Sequence, residues 1–314
     1  MDKTTLGDRM KNNYENISRY YLTRRMPVII RIDGKAFHTF TREFKKPFDD
    51  ILVKTMQDTM KYLCENIQGC VLGYTQSDEI SLVLTDYAEL TTDAWFGNNL
   101  QKMCSVSASM ATLAFNKAFT RNISKQSKRF YTEYLEEKDA SYIETLEIAM
   151  NKGAMFDSRV FNIPKEEVCN YFIWRQQDAT RNSIQSVGQA NFSQKELNGK
   201  SCNDIQDMLM TQKSINWNDY ATTLKRGSCC IKIDDGITKY DEVGNICDYI
   251  PRSKWVIDTE IPIFTQNRNY IENLIWGLLW LLFIDVIIVR KKNICTTINI
   301  QLKYSEVHYI INVQ

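Results

Sequence analysis

The sequence predicts an α+β protein whose first half is a ferredoxin-like β-α-β-β-α-β unit, followed by additional helices and a C-terminal strand region. Three observations carry this reading. Short β-branched runs and stretches of helical periodicity follow one another as strand, helix, strand, strand, helix, strand up to residue 164. A polar, acidic segment separates the second strand from the third, as in a hairpin. Past Pro164 the pattern turns helical, and strand-like patterning resumes over residues 228–264.

Residues 28–32, VIIRI, are apolar and β-branched and end at Asp33 and Gly34, a strand running into a tight turn. Over residues 48–67 the positions Phe48, Ile51, Leu52, Met56, Met60 and Leu63 recur every three or four residues and make one buried helical stripe. Residues 70–74 and 80–84 are the second and third strands, joined by Thr75, Gln76, Ser77, Asp78 and Glu79 as a hairpin with an acidic tip. The next helix sets Leu100, Met103, Ser107, Met110, Ala114 and Ala118 on one face, small enough for close packing on a sheet. Residues 154–163, AMFDSRVFNI, supply the fourth strand. In this topology helices lie on one side, strands one and three are central neighbours, and Asp33 sits next to Asp78. Residues 165–187 then read as helix. Ser193 with Glu196 and Ser201 with Asp204 are capping-box starts separated by Gly199, and Asp234, Asp235 and Gly236 form a turn.

With 314 residues, 44% hydrophobic and 25% charged, the chain suffices for one large or two modest folded units. Thirty-nine basic against 38 acidic residues give a net charge of +1. No global field then draws a polyanion, and any such site must be local. The nine cysteines are scattered, odd in number and without paired CxxC ligands, as expected of reduced thiols in a cytosolic protein. No secretory leader is read. Residues 274–289, LIWGLLWLLFIDVIIV, precede Arg290, Lys291 and Lys292 and contain Asp285. This run is shorter than the roughly 20 apolar residues of a membrane span. It reads as a buried or partner-covered helix, with a tail anchor and an appended tail as alternatives.

Carboxylates at the ends of buried strands call for positive charge, because an unpaired charge there is costly. Two brought together raise each other's pKa unless a cation sits between them. Magnesium takes hard oxygen ligands and is usually held by one or two carboxylates with substrate phosphates. Two such ions serve nucleotidyl transfer, and Gly34 lets a backbone carbonyl approach. The plainer alternative is an ordinary Asp-Gly turn and a solvated hairpin tip. His38 is isolated and reads as packed or hydrogen-bonded rather than as a zinc ligand. On the later helix Arg175, Asp178 and Asn182 share a face, with Arg181 one turn from Asp178. They form either an RNA- or phosphate-binding stripe or a solvated face with an internal ion pair. Lys117, Arg121, Lys125, Lys128 and Arg129, with Lys225 and Arg226, line a phosphate path or simply the surface.

RIDGKAFHTFTR, KKPFDD, YTQSDEISLV and NYFIWRQQDATRNSI occur in this order. Through them, residues from about 13 to 273 closely resemble the tRNA(His) guanylyltransferase superfamily. The resemblance implies a polymerase/cyclase-type palm in residues 1–164, a helical and β region over 165–273 completing the catalytic unit, and an apolar tail over 274–314. It implies a magnesium-dependent, ATP- and GTP-binding nucleotidyltransferase that extends the 5′ end of tRNA in the 3′-to-5′ direction. Carried over motif by motif, Asp33, Asp78 and Glu79 would be catalytic. Asp33, the Gly34 carbonyl and Asp78 would hold two Mg2+ ions, and Lys46, Ser77 and Lys102 would contact nucleotide phosphates.

Two departures bear on substrate. Eukaryotic guanylyltransferases carry a His-Ile-Asn-Asn type run where Ala179, Thr180, Arg181, Asn182 and Ser183 follow Asp178 here. A basic run is also missing after Trp95 and Phe96, where Gly97, Asn98 and Asn99 stand. The first resembles the like-protein branch, and the two together speak against dedicated recognition of the histidine anticodon and favour template-dependent repair of 5′-truncated tRNA, with addition of the extra 5′ G to tRNA(His) as the second expectation. A nucleotide cyclase and an inactive RNA-binding palm are the rivals. Nucleoside triphosphates and tRNA are the expected partners, a homotetramer the expected assembly, and the cytoplasm the expected location, with mitochondria as an alternative.

Overall fold

Strand β1 (Val28–Gly34) lies inside a sheet that is covered on both faces, and Ile29, Ile30 and Ile32 are fully buried. This explains why its sequence is almost continuously apolar instead of alternating. The computed structural model describes residues 5–132, 137–240 and 246–276. Contacts gather the chain up to Ile275 into one unit, and that unit is described here. The apolar run from residue 277 onward lies outside the described residues.

Strands β2 (Cys70–Gln76), β3 (Glu79–Leu84), β4 (Phe156–Asn162) and β5 (Ser228–Asp234) join β1 in an antiparallel sheet. Strands β6 (Ile237–Tyr240) and β7 (Ile246–Ile250) pair with each other, and β8 (Ser253–Asp258) closes the larger sheet. Its order is β4-β1-β3-β2-β5-β8. β1 is therefore the neighbour of β3, as the element order requires.

Ile30 and Ile32 face a core built with helices α1 (Asp50–Asn66) and α2 (Leu100–Thr132), which includes Met56, Met60, Leu63, Phe115 and Phe119. Each fully buried side chain of this size contributes about 1.5–3 kcal/mol. Helix α3 (Glu137–Lys152) follows, then α4 (Val168–Asn191), which covers the opposite face through Val168, Tyr171 and Phe172 packed on Ile29, Leu72 and Val83. Helices thus cover both faces, where the first six elements alone suggested one. Residues up to 162 do place α1 and α2 on a single side; the second cover comes from α4.

Three local features differ from the sequence reading. The hairpin is tighter, with Thr75, Gln76 and Glu79 in the strands and only Ser77 and Asp78 between them. The helix from Leu100 continues to Thr132. Helix α3 has no counterpart in the reading, because among its described side chains only Leu146 and Ala149 are buried. The described cysteines Cys64, Cys70, Cys104, Cys169, Cys202, Cys229 and Cys230 are all free thiols. Among the described residues no helix is long and apolar enough to cross a membrane.

Candidate active site

In the register of the sheet Asp33 stands opposite Glu79 on one side and Asp157 on the other. Side chains alternate along a strand, so these three carboxyls form a row across β4, β1 and β3 on the face covered by α4. Two residues further into the sheet a second row carries Arg159, Arg31 and Ser81. An acidic row backed by a basic one answers the cost of placing carboxylates at the ends of buried strands.

Glu79 is the most deeply set of the three, 4% exposed. Arg31 Nη2 donates to its Oε2 at 2.7 Å. Arg175 Nε lies 2.8 Å from Oε1 as an ion pair, without hydrogen-bond alignment. Arg175 Nη2 also donates to Asp178 Oδ2 at 2.5 Å, and Asp178 receives Arg181 and the Asn182 amide as well. Burial pushes the Glu79 carboxyl up, while the Arg175 and then the Arg31 guanidinium pull it down. Tyr171 ties α4 to β3 through a 2.7 Å hydroxyl contact with Ser81, and burial pushes its phenol up to about 12.

Asp78 has no such partners. Its carboxylate accepts the Ser77 hydroxyl at 3.1 Å and its own backbone N–H and, among the described residues, no cation. Burial, and then the neighbouring Asp33 charge, push its carboxyl above the usual carboxylate range. The cation nearest Asp33 is Arg159, at 3.9 Å, with Asp157 at 3.6 Å from the same guanidinium. The turns presenting the two acids are conformationally constrained. Ser77 has φ +49° and Ala36 φ +54°, in the left-handed region uncommon outside glycine. A Cβ on Gly34 would come within 2.1 Å of the Phe37 ring, so that turn admits glycine alone.

These donors fit a hard divalent cation: two close carboxylates without a hydrogen-bonded cation, beside a glycine carbonyl. Among the described residues no group of three or more His, Cys, Asp or Glu side chains is arranged to hold a metal. Asp33, Asp78 and the Gly34 carbonyl are the groups that could hold such an ion.

The lysine loop is held by Asp49, which is buried. Asp49 accepts from Leu52 N at 2.9 Å as the N-cap of α1, from Lys45 N at 3.2 Å, and from the Tyr142 hydroxyl. Lys45 Nζ lies 4.2 Å from the centre of the Tyr142 ring. Lys46 is exposed, its ammonium donating to Thr41 O at 3.2 Å. Lys102 is exposed, 5.7 Å from the Phe96 ring centre.

Other expected positions divide. Arg175 is corrected: it is 2% exposed, and its guanidinium anchors Glu79 and Asp178 instead of reaching phosphate. Asp178 is likewise an internal anchor. Arg181 and Asn182 remain at the outer edge of this cluster. Lys225 and Arg226 lie just before β5, whose Ser228 pairs with Thr75, and so belong to the hairpin end of the sheet. Lys225 Nζ donates to Asn218 O at 2.5 Å. Arg121 pairs with Asp58 at 3.1 Å on the surface of α2, which favours the plain reading of that basic run; Lys117, Lys125 and Lys128 are exposed on the same helix. His38 is exposed, so of the two readings, packed or hydrogen-bonded, the packed one does not hold.

Asp157, Arg159, Arg31 and Tyr142 were not singled out from the sequence. The first two were recoverable: in FDSRVFN they alternate, and an antiparallel neighbour of β1 must bring them beside Asp33 and Arg31. Tyr142 gave no local signal.

The fold is α+β, an antiparallel sheet covered by helices on both faces, and comparison gives the family. The profile of the tRNAHis guanylyltransferase family matches residues 7–164. The chain is 26% identical to an uncharacterized protein of Acanthamoeba polyphaga mimivirus, over 84% of this chain and 86% of that one. It is 28% identical to the tRNA(His) guanylyltransferase of Saccharomyces cerevisiae, over 64% and 80%. A bacterial tRNA(His) guanylyltransferase-like protein solved in complex with ATP superposes with a TM-score of 0.68 at 44% identity, covering 87% of this chain and all of that one. A structure of such a protein with GTP gives 0.65 and 42%. The chain belongs to the tRNA(His) guanylyltransferase family, whose members are nucleotidyltransferases.

Proposed function

We propose that this chain adds nucleotides to the 5′ end of tRNA in the 3′-to-5′ direction, reading the opposite strand as template, and so repairs 5′-truncated tRNA. The observation that carries this is the pairing of Asp33 with the poorly satisfied Asp78 at adjacent strand ends. The β4-β1-β3-β2 order with α1 and α2 on one face supports a ferredoxin-like palm. Asp33, Asp78 and the Gly34 carbonyl would hold two Mg2+ ions, which supply charge neutralisation on phosphate and a more acidic attacking hydroxyl.

The remaining roles fall to the chain's own groups. Glu79 fixes Arg31 and Arg175 and thereby the end of β3. Lys46, Ser77 and Lys102 meet the triphosphate, and Arg159 stands where the RNA phosphate arrives. Arg181, Asn182, Lys225 and Arg226 contact RNA further out. A 5′-monophosphate oxygen attacks the α-phosphorus of ATP and pyrophosphate leaves. The 3′ hydroxyl of the incoming nucleotide then attacks the activated 5′ phosphorus and AMP leaves. A 5′-triphosphate end enters at the second step and releases pyrophosphate. Repair is favoured over guanylylation by the absent His-Ile-Asn-Asn run and by the 44% identity to a guanylyltransferase-like protein. Addition of one G to tRNA(His) is the second reading, supported by the relatives named for it. A homotetramer belongs to this proposal.

The test supplies labelled 5′-truncated tRNA, all four nucleoside triphosphates and Mg2+. Wild type lengthens the RNA to match its template and Asp78→Ala does not; an RNA of unchanged length with active controls ends the proposal.

A further inference from the structure

Trp174 differs from the other aromatic side chains of α4. Tyr171 and Phe172 are buried, whereas 52% of Trp174 is open. Scattered apolar residues on a surface need no explanation, but this one is braced. The Arg175 Cζ lies 4.3 Å and the Arg31 Cζ 5.7 Å from its ring centre, and the Tyr171 ring meets it edge-on at 5.8 Å. The two guanidiniums are those that grip Glu79, so the indole is fixed to the acidic row through buried ion pairs. Arg31 is one strand repeat from Asp33, roughly 7 Å. Opposite Arg31 on β4 stands Arg159, whose side chain is 56% exposed and only loosely paired with Asp33 and Asp157. Exposed pairs of this kind contribute little, which leaves Arg159 able to exchange a carboxylate for a phosphate oxygen.

An open indole braced by Arg31, with the available guanidinium of Arg159 on the neighbouring strand, offers what single-stranded nucleic acid uses, base on ring and phosphate on cation. The geometry points to a subsite in which an unpaired RNA base stacks on Trp174 while its phosphate meets Arg159, next to the nucleotide reacting at Asp33 and Asp78. This rests on the proposed reading that the substrate is RNA. It adds a base-holding contact which that reading does not contain.

The experiment measures binding by fluorescence anisotropy. The probes are a 5′-truncated tRNA and the same RNA with the unpaired bases at that end replaced by abasic sites. Trp174→Ala binds the intact RNA roughly 5- to 100-fold more weakly than wild type, Trp174→Phe restores most of the loss, and Trp174→Leu, which keeps apolar packing without stacking, does not. All four proteins bind the abasic RNA alike, and ATP binding without RNA is unchanged in each. Equal losses on intact and abasic RNA, or no loss, would overturn the subsite. So would a drop in sedimenting mass for Trp174→Ala, which would make the indole a contact between copies of the chain. Failure of wild type to bind or extend truncated tRNA ends the proposed function itself, and is visible without any Trp174 variant.

Discussion

Exchanging Glu79 for Gln should cost stability, whereas exchanging Asp78 for Asn should not. Glu79 is 4% exposed and faces two guanidiniums, of which the Arg175 side chain is 3% and the Arg31 side chain 21% exposed. Glu79→Gln keeps the shape but strands both positive charges. Removing one partner from a buried ion pair costs about 3–5 kcal/mol. Asp178 still serves Arg175 and solvent still reaches Arg31, which places the loss near the lower end, about 3 kcal/mol. At roughly 2–4 °C per kcal/mol for a chain of this size, the melting temperature should fall by about 6–12 °C. Burial, and then the neighbouring Asp33 charge, disfavour the Asp78 carboxylate. Asp78→Asn relieves that opposition and should leave stability unchanged or raise it by about 0.5–2 kcal/mol, while abolishing nucleotide addition. Circular-dichroism melts in metal-free buffer, read beside extension of labelled truncated tRNA, give both quantities. Equal melting shifts for the two variants would refute the division into an anchoring and a reacting carboxylate.

Tyr142→Phe should raise KM for the incoming nucleotide roughly 3- to 10-fold with kcat nearly constant, the effect of one lost hydrogen bond, because the phenol steadies Asp49 and through it the lysine loop; an unchanged KM would detach Tyr142 from that loop. Burial holds the Tyr171 phenol up to about 12, so the folded chain keeps a proton that the unfolded chain releases near pH 10. That stability is whole below pH 10 and is lost as pH rises through 12. Urea titrations of wild type should therefore fall by up to about 1.4 kcal/mol per pH unit more steeply than those of Tyr171→Phe over that interval, and parallel slopes would contradict it.

Much of the sheet was legible because its central strands leave little choice: VIIRI and the apolar runs flanking the hairpin must be buried on both faces. The bringing together of Asp33 and Asp78 followed from element order alone. The roles of Arg175 and Asp178 did not, because helical spacing shows which residues share a face but not whether that face meets solvent or a carboxylate on another strand. Arg175 needed the position of Glu79, some hundred residues away in the chain, before phosphate contact could be set aside. Helix α3 was missed for the opposite reason: it buries too little for its periodicity to stand out, yet Tyr142 on it reaches the lysine loop.

The acidic and basic rows cross three strands whose residues come from widely separated parts of the chain and are aligned by the ladder register. Because successive strand residues point to opposite faces, a slip of one position would turn Asp33 into the phenylalanine-lined interior and Ile32 out under α4. Partial alignment is therefore worthless to this protein. A chain whose β1 register shifts by one position loses the acidic and the basic row together.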